Sequence, residues 1–389
     1  MVKLATMQTG VLGGIEPPGA DQLLRMQRAD YVLRARDGQI IEVPAEKSRL
    51  PPDPDSHPQA VRLFKGAGTA IYARQPGTLS RSDDGGRTWT SRPVPAAPRE
   101  TAALQDGALV GVDAGADRPA EVFHSEDEGA SWRKTTEFEL PVGFEDVGVT
   151  GVTRLRDGAL ICDIHVGNGR YENDWGPRLI AGTVELLGFR SDDGGQTWEG
   201  PYLIMRFAGE GGFAHCPSGR LLAVKRYQRG LLPDESDRMM NQMGVNQLFV
   251  RWGLAAYRLF KNIALVESLD GGRTWTDERL LTTVFGQCYG YPVVLEEGTV
   301  VVVHDTRYGP GPQSSRAMIS RDEGCSWEDE TYYLCHGSQA SGYTQSVVLD
   351  DGTILTLGGT SDRADGDTGS WNKWVGHADL TAIRWRLED

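Results

Sequence analysis

The chain contains no apolar run long enough to cross a bilayer as a helix, and its first ten residues, MVKLATMQTG, hold no apolar core of the kind a secretion leader needs. A cytoplasmic, reducing compartment is the default expectation, and a secreted or periplasmic one applies if a leader has been trimmed. Basic charge is also scarce: 40 Lys and Arg stand against 54 Asp and Glu, a net charge of −14. That balance excludes nucleic acid as a partner, because such binders need a basic surface that displaces counterions. An anionic ligand would need a local basic pocket. Cysteine is sparse and odd in number, with five scattered positions (Cys162, Cys216, Cys288, Cys325 and Cys335). They are read as buried thiols rather than a disulfide framework. No cluster of His and carboxylates has metal-ligand spacing, so no cofactor is expected, although Asp-rich turns could hold a structural calcium.

Turn residues, by contrast, are abundant: 49 glycines and 20 prolines. Many of them belong to an eight-residue pattern, Ser-x-Asp-x-Gly-x-Thr-Trp, which occurs five times, at Ser82, Ser125, Ser191, Ser268 and Ser320, with Ser replacing Thr in two copies. Asp followed by Gly-Gly or Glu-Gly is hairpin chemistry. Glycine supplies positive φ without steric cost, and the carboxylate accepts backbone N–H groups across the turn. The serine hydroxyl can bond the same loop, and the Trp can bury its area in the seam between sheets. These residues read as structural, not catalytic.

A second turn, of the form Leu-x-Asp-Gly-x-Leu, precedes most boxes: LQDGAL at Leu104, LRDGAL at Leu155, CPSGRL at Cys216, LEEGTV at Leu295 and LDDGTI at Leu349. Apolar, β-branched runs flank it, so each unit holds several antiparallel strands. Successive boxes lie 43, 66, 77 and 52 residues apart, an irregular but blade-sized spacing. It predicts an all-β, six-bladed β-propeller in one domain over residues 1–389, with a boxless sixth unit from about Tyr343 onward. The alternating stretch at residues 31–43 is expected to complete the last blade and so remove a free sheet edge. Between Tyr227 and Asn262, apolar residues recur at helical spacing. They predict a helical insertion near 232–262 that could cap blade four, close over the pocket or join a second copy in a homo-oligomer.

A propeller's ligand site lies over its central channel, so titratable residues at the ends of innermost strands are the candidates. In unit four, Glu210 stands nine residues before Gly219 of the turn and Arg226 seven after it, which brings both to one rim. Unit five offers Arg316, with His304, Asp305 and Arg307 upstream; Tyr343 opens unit six; His57 and His165 are, with His304, the histidines available for other chemistry. The boxes and this placement resemble the sialidase superfamily, six-bladed propellers built on Asp-boxes, or BNR repeats. That resemblance covers nearly the whole chain. It implies that Glu210 and Arg226 bracket the unit-four hairpin as base and binding arginine, that Arg316 is a further binding arginine, and that Tyr343 is the nucleophile. The family's first arginine lies in a Phe-Arg-Ile-Pro motif, where this chain reads SHPQAVRLF with His57. Its acid–base aspartate has no match in ARQPGTLSRS; Arg99 with Asp113 or Asp117, one blade later, could substitute under a shifted register.

The implied chemistry is a retaining, exo-acting glycoside hydrolase that releases a terminal, anionic sugar. Phenol is a poor nucleophile until a carboxylate takes its proton, and it avoids the repulsion a carboxylate nucleophile would meet. Arginines would clamp the substrate carboxylate with bidentate, charge-assisted bonds. A glycan or oligosaccharide is the expected partner, with no nucleic acid and no membrane span. Two other readings stand beside it. One is a polysaccharide lyase or His-dependent glycosidase on uronate- or rhamnose-containing glycans, in which His57, His304 or Tyr343 moves protons while arginines neutralise a uronate carboxylate; Arg307, His304 and His165 join Arg226 and Arg316 as substrate-binding candidates. The other is a non-catalytic carbohydrate-binding propeller.

Overall fold

A computed structural model describes residues 18–50, 61–75, 77–95, 98, 100–167, 184–229, 260–282, 287–306, 314–336, 344–360 and 379–388. These form six antiparallel sheets arranged as the blades of a β-propeller. The innermost strands, in order, are Arg62–Lys65, Glu100–Ala103, Asp146–Arg154, Ala208–His215, Gln287–Val294 and Gln345–Val348. Five blades take their strands outward in chain order. The sixth is completed from the other end of the chain, where Glu46–Arg49 pairs with Asp379–Trp385 as its outermost strand.

Closure by the N-terminal region is therefore real, but the strand differs from the expected one. Residues 31–43 do not complete the last blade. Tyr31–Arg36 and Gln39–Pro44 form a hairpin that extends blade five outward, through pairing of Leu33 to Arg36 with Tyr333 to Glu330. The cause is local. The helix Ala20–Gln27, the one helix among the described residues, buries Leu23 and Met26 against Leu33, Ala35 and Tyr333, which pins the hairpin to blade five. Lys47 of the closing strand reaches back to donate to the carbonyls of Met26, Ala29 and Tyr31, satisfying the helix end. The helical insertion expected near 232–262 falls mostly outside the described residues.

Both turn families occupy their expected places. The Leu-x-Asp-Gly turns join the innermost strand to the next in blades two to six, and the boxes join the third strand to the fourth in blades one to five. In the second box Ser125 Oγ donates to Asp127 Oδ1 at 2.8 Å, Gly129 N donates to Ser125 Oγ at 2.7 Å, and Ser131 donates through N and Oγ to the same carboxylate at 2.8 and 2.6 Å. The other four boxes repeat this pattern. Trp89, Trp198 and Trp275 each donate Nε1 to the carbonyl of the second Gly of their own box. Their rings pack on clusters shared by adjacent blades. Blades one and two instead meet through polar contacts. Tyr72 bonds Glu128 at 2.7 Å, and buried Arg74 donates to the carbonyls of Pro95 and Pro98 at 2.9 and 2.7 Å. Cys162, Cys216 and Cys335 are buried free thiols, whereas Cys325, within the fifth box, is exposed.

The box carboxylates carry an acid dependence. Hydrogen bonds from the Ser131 hydroxyl and N–H, then from Ser125, hold Asp127 down at about 2. Asp84 and Asp270 also reach about 2, their turn donors outweighing partial desolvation. An unfolded aspartate titrates near about 3.9, so the stabilisation is complete above that pH and is lost as pH falls toward 2. The urea midpoint should fall steadily between about pH 4 and 2, less steeply in Asp127→Asn. A midpoint flat across that range would contradict the assignment.

Candidate functional site

Six backbone hydrogen bonds of one type mark equivalent turns in all six blades. The N–H groups of Gly66, Leu104, Leu155, Cys216, Leu295 and Leu349 donate to Ala70, Ala108, Ala159, Arg220, Thr299 and Thr353. Four residues before each turn stand Arg62, Glu100, Gly151, Gly212, Tyr291 and Gln345. All six line a central cavity of about 330 Å³. One register position per blade thus builds one layer around the channel. Two of its members are glycine, which leaves room for the four large polar side chains opposite.

That layer is cross-linked. Arg62 donates through Nε and Nη2 to both oxygens of Glu100, at 2.6 and 2.7 Å, and through Nη1 to the Val61 carbonyl at 3.2 Å. Gln345 Oε1 accepts from Leu63 N at 2.8 Å, joining blades six and one. Burial pushes the Tyr291 hydroxyl well up, with Arg62 opposing. No sequence motif singles out Arg62, Glu100 or Tyr291. Arg62 opens the innermost strand of blade one, in Ala-Val-Arg-Leu-Phe, the place at which the resemblance calls for an arginine. The absence of a following Ile-Pro hides it.

Above the layer, three innermost strands carry a β-bulge near their entry: Val149 to Gly151 in blade three, Ala208 to Gly211 in blade four, and Cys288 to Tyr291 in blade five. A bulge sets two residues against one and re-aims a side chain. Thr150 is turned onto buried Asp163. Glu210 meets Arg226 Nη2 at 2.5 Å, both side chains about one-fifth exposed. Tyr289 accepts from Arg226 Nη1 at 3.2 Å. Tyr289 holds φ +60 while almost wholly buried. A non-glycine residue there costs on the order of 1–3 kcal/mol, a strain that concentrates at functional sites. Gly211 is obligatory, because a Cβ would stand 2.2 Å from the Val224 carbonyl oxygen and 2.8 Å from Lys225 Cα.

Behind the bulges lies a second polar core. Lys225 and Asp163, both fully buried, form an ion pair at 2.9 Å between blades four and three. The ammonium stands 4.0 Å from the Phe213 ring centroid and donates to the Gly211 carbonyl at 3.2 Å. Burial pushes Asp163 up and Lys225 down, each partly offset by the other.

The sequence-predicted residues separate into three groups. Glu210 and Arg226 come together as expected. His165 bonds Asp146 at 3.3 Å at the entry of blade three, and that bond pulls Asp146 below the usual carboxylate range while burial and the charge of Glu210 oppose. His304 and Arg316 are cross-strand partners in blade five, both fully buried and outside the cavity wall. Burial, then the charge of Arg316, brings His304 down to about 3. Arg316 donates to Ser314 Oγ at 2.9 Å and lies 5.0 Å from the Tyr333 ring centroid. Tyr343, His57 and Arg307 lie outside the described residues. Among the described residues no group of three or more His, Cys, Asp or Glu is placed to hold a metal ion, and no helix is long and apolar enough to cross a membrane.

The BNR/Asp-box repeat family matches residues 189–199, the third box with its preceding strand. No curated protein matches the chain in sequence. Solved structures similar to it include a protein of unknown function from Dyadobacter fermentans DSM 18053 (14% identity, 88% of this chain and 98% of that one, TM-score 0.58). The GH93 α-L-arabinofuranosidase of Fusarium graminearum, in complex with arabinobiose, is similar over 88% of this chain and 97% of that one (14% identity, TM-score 0.56). The Hadza microbial sialidase Hz136 is similar over 85% of this chain, which spans only 65% of that one (14% identity, TM-score 0.54). The chain is a six-bladed β-propeller carrying BNR/Asp-box repeats, a fold it shares with sialidase and arabinofuranosidase structures.

Proposed function

We propose that the chain is a glycoside hydrolase that takes a terminal sugar at the mouth of the central channel. The observation that carries this reading is the bulge that lifts Glu210 out of the innermost strand of blade four, onto Arg226 and beside strained Tyr289. A carboxylate, an arginine and an aromatic hydroxyl meeting above the channel layer suit a sugar ring and its hydroxyls. Glycosidases of the same fold support the reaction class.

In the proposed reaction Tyr343 is the nucleophile and Glu210 its base, a recognised departure from the two-carboxylate scheme. The phenolic oxygen attacks the anomeric carbon while Glu210 takes its proton. The glycosidic C–O bond breaks and the aglycone oxygen is protonated from solvent. Water then attacks the same carbon, the tyrosyl C–O bond breaks, Glu210 returns its proton to the phenolate, and the proton of the attacking water goes to solvent. Attack from opposite faces in the two steps retains the anomeric configuration. Arg226 positions Glu210 and a sugar hydroxyl.

The test is hydrolysis of an aryl glycoside panel, spanning arabinofuranoside, rhamnoside, sialoside and glucuronide, by the wild type and by Tyr343→Phe. Release of the aryl group that collapses in the variant is the expected result. No release from any member sinks the hydrolase reading, and unchanged turnover in Tyr343→Phe removes the tyrosine from the mechanism. A double-bond absorbance from a uronate polymer would favour a lyase instead.

A further inference from the structure

A sugar carboxylate needs a guanidinium with an open fork, since its two oxygens take two parallel N–H groups. The channel layer holds such a group, Arg62, but its Nε and Nη2 edge is already filled by Glu100 at 2.6 and 2.7 Å, and Nη1 is turned to the Val61 carbonyl. Glu100 does to Arg62 what a substrate carboxylate would do. The pair is also deeply placed, with side chains 11% and 4% exposed, so water does not compete for it.

The remaining described cations near the channel are similarly committed. Arg226 is held by Glu210 at 2.5 Å. Lys225 is shut behind the wall on Asp163. Lys65 pairs with Asp350 at 2.7 Å. Arg316, the further arginine implied by the resemblance, is fully buried outside the cavity wall. Arg154 lines the far end of the cavity: it ends its strand three residues beyond Gly151 of the layer, about 10 Å from it, toward the mouth opposite Glu210. Among the described residues, the two arginines nearest the sugar position are thus each neutralised by a carboxylate of the protein.

We infer that Glu100 determines the charge class of the ligand: by occupying Arg62 it makes the central site one for a neutral sugar, not for a sialic or uronic acid. The inference rests on the proposed reading only in taking the mouth beside Glu210, floored by the layer of Arg62 and Glu100, as a sugar site. It is therefore tested by binding, which is independent of turnover.

The experiment is calorimetric titration of the full chain with methyl α-L-arabinofuranoside, methyl α-L-rhamnoside, N-acetylneuraminate and D-glucuronate. At least one neutral ligand should bind tenfold or more tightly than either acid, with an affinity insensitive to salt. Glu100→Gln should open the guanidinium and raise affinity for an acid about tenfold, an increase that 0.5 M salt reduces. Should Glu100→Gln fail to fold, Glu100→Asp, which shortens the reach and breaks the two-point geometry, should shift selectivity the same way by a smaller factor. Tighter binding of an acid by the wild type overturns the inference, as does binding of none of the four, or unaltered selectivity in a folded Glu100 variant. Neutral binding without hydrolysis of the corresponding aryl glycosides would support the charge assignment while removing the hydrolase reading.

Discussion

Glu210→Gln is expected to lower kcat by about 10²–10⁴-fold, the range that a positioned general base contributes. The amide keeps the shape and the contact to Arg226 but cannot accept the proton of Tyr343. Because Glu210 is at the rim and about one-fifth exposed, its loss should leave a cooperative melting transition. The series of leaving groups gives the sharper reading. If Glu210 activates the nucleophile, the fall should be similar for aryl groups of high and low pKa, since the proton it moves is not the aglycone's. A fall confined to poor leaving groups would instead make it the acid that protonates the aglycone. Loss of less than about fivefold, with every aglycone, would remove Glu210 from the chemistry.

The largest effect on stability is expected at Lys225→Met. This change leaves Asp163 ionisable, fully buried and deprived of its counter-charge. Breaking a buried pair from one side costs about 3–5 kcal/mol, whereas replacing both partners with apolar residues is often close to neutral. Urea unfolding should show that cost for Lys225→Met and a smaller one for the double variant Lys225→Met/Asp163→Leu. A single-variant cost under about 1 kcal/mol would mean that the pair is not what couples blades three and four. The position also links fold to site. Lys225 precedes Arg226 in the strand and bonds the carbonyl of Gly211, which follows Glu210, so its loss should loosen the bulge that presents the carboxylate.

Much of this is legible in the order of the residues alone. The Glu210–Arg226 pair can be placed because a hairpin's register is set by its turn: nine residues before Gly219 and seven after reach one end of the same two strands. The turn is centred on Ser218, eight residues from each, so the register sets Glu210 against Arg226, and the bulge adds Gly209 beside it. Arg62 and Glu100 cannot be paired that way. They lie on different innermost strands, and only the rotation from blade one to blade two brings guanidinium and carboxylate to 2.6 Å. The same is true of Asp163 and Lys225. The closing strand illustrates a nearer miss: residues 31–43 and 46–49 are neighbours in sequence, and packing of Leu23 and Met26 sends the first to blade five and leaves Glu46–Arg49 for the last.

By itself, then, the amino-acid sequence determined the repeating unit, the number of blades, both families of turns and the local pair on blade four, because each depends on interactions between residues close in the chain. Only the tertiary structure decided which polar groups meet between adjacent blades, which of the arginines is buried and which carboxylate occupies Arg62. Those contacts join side chains tens to hundreds of residues apart, and ring closure, not local spacing, sets their distance.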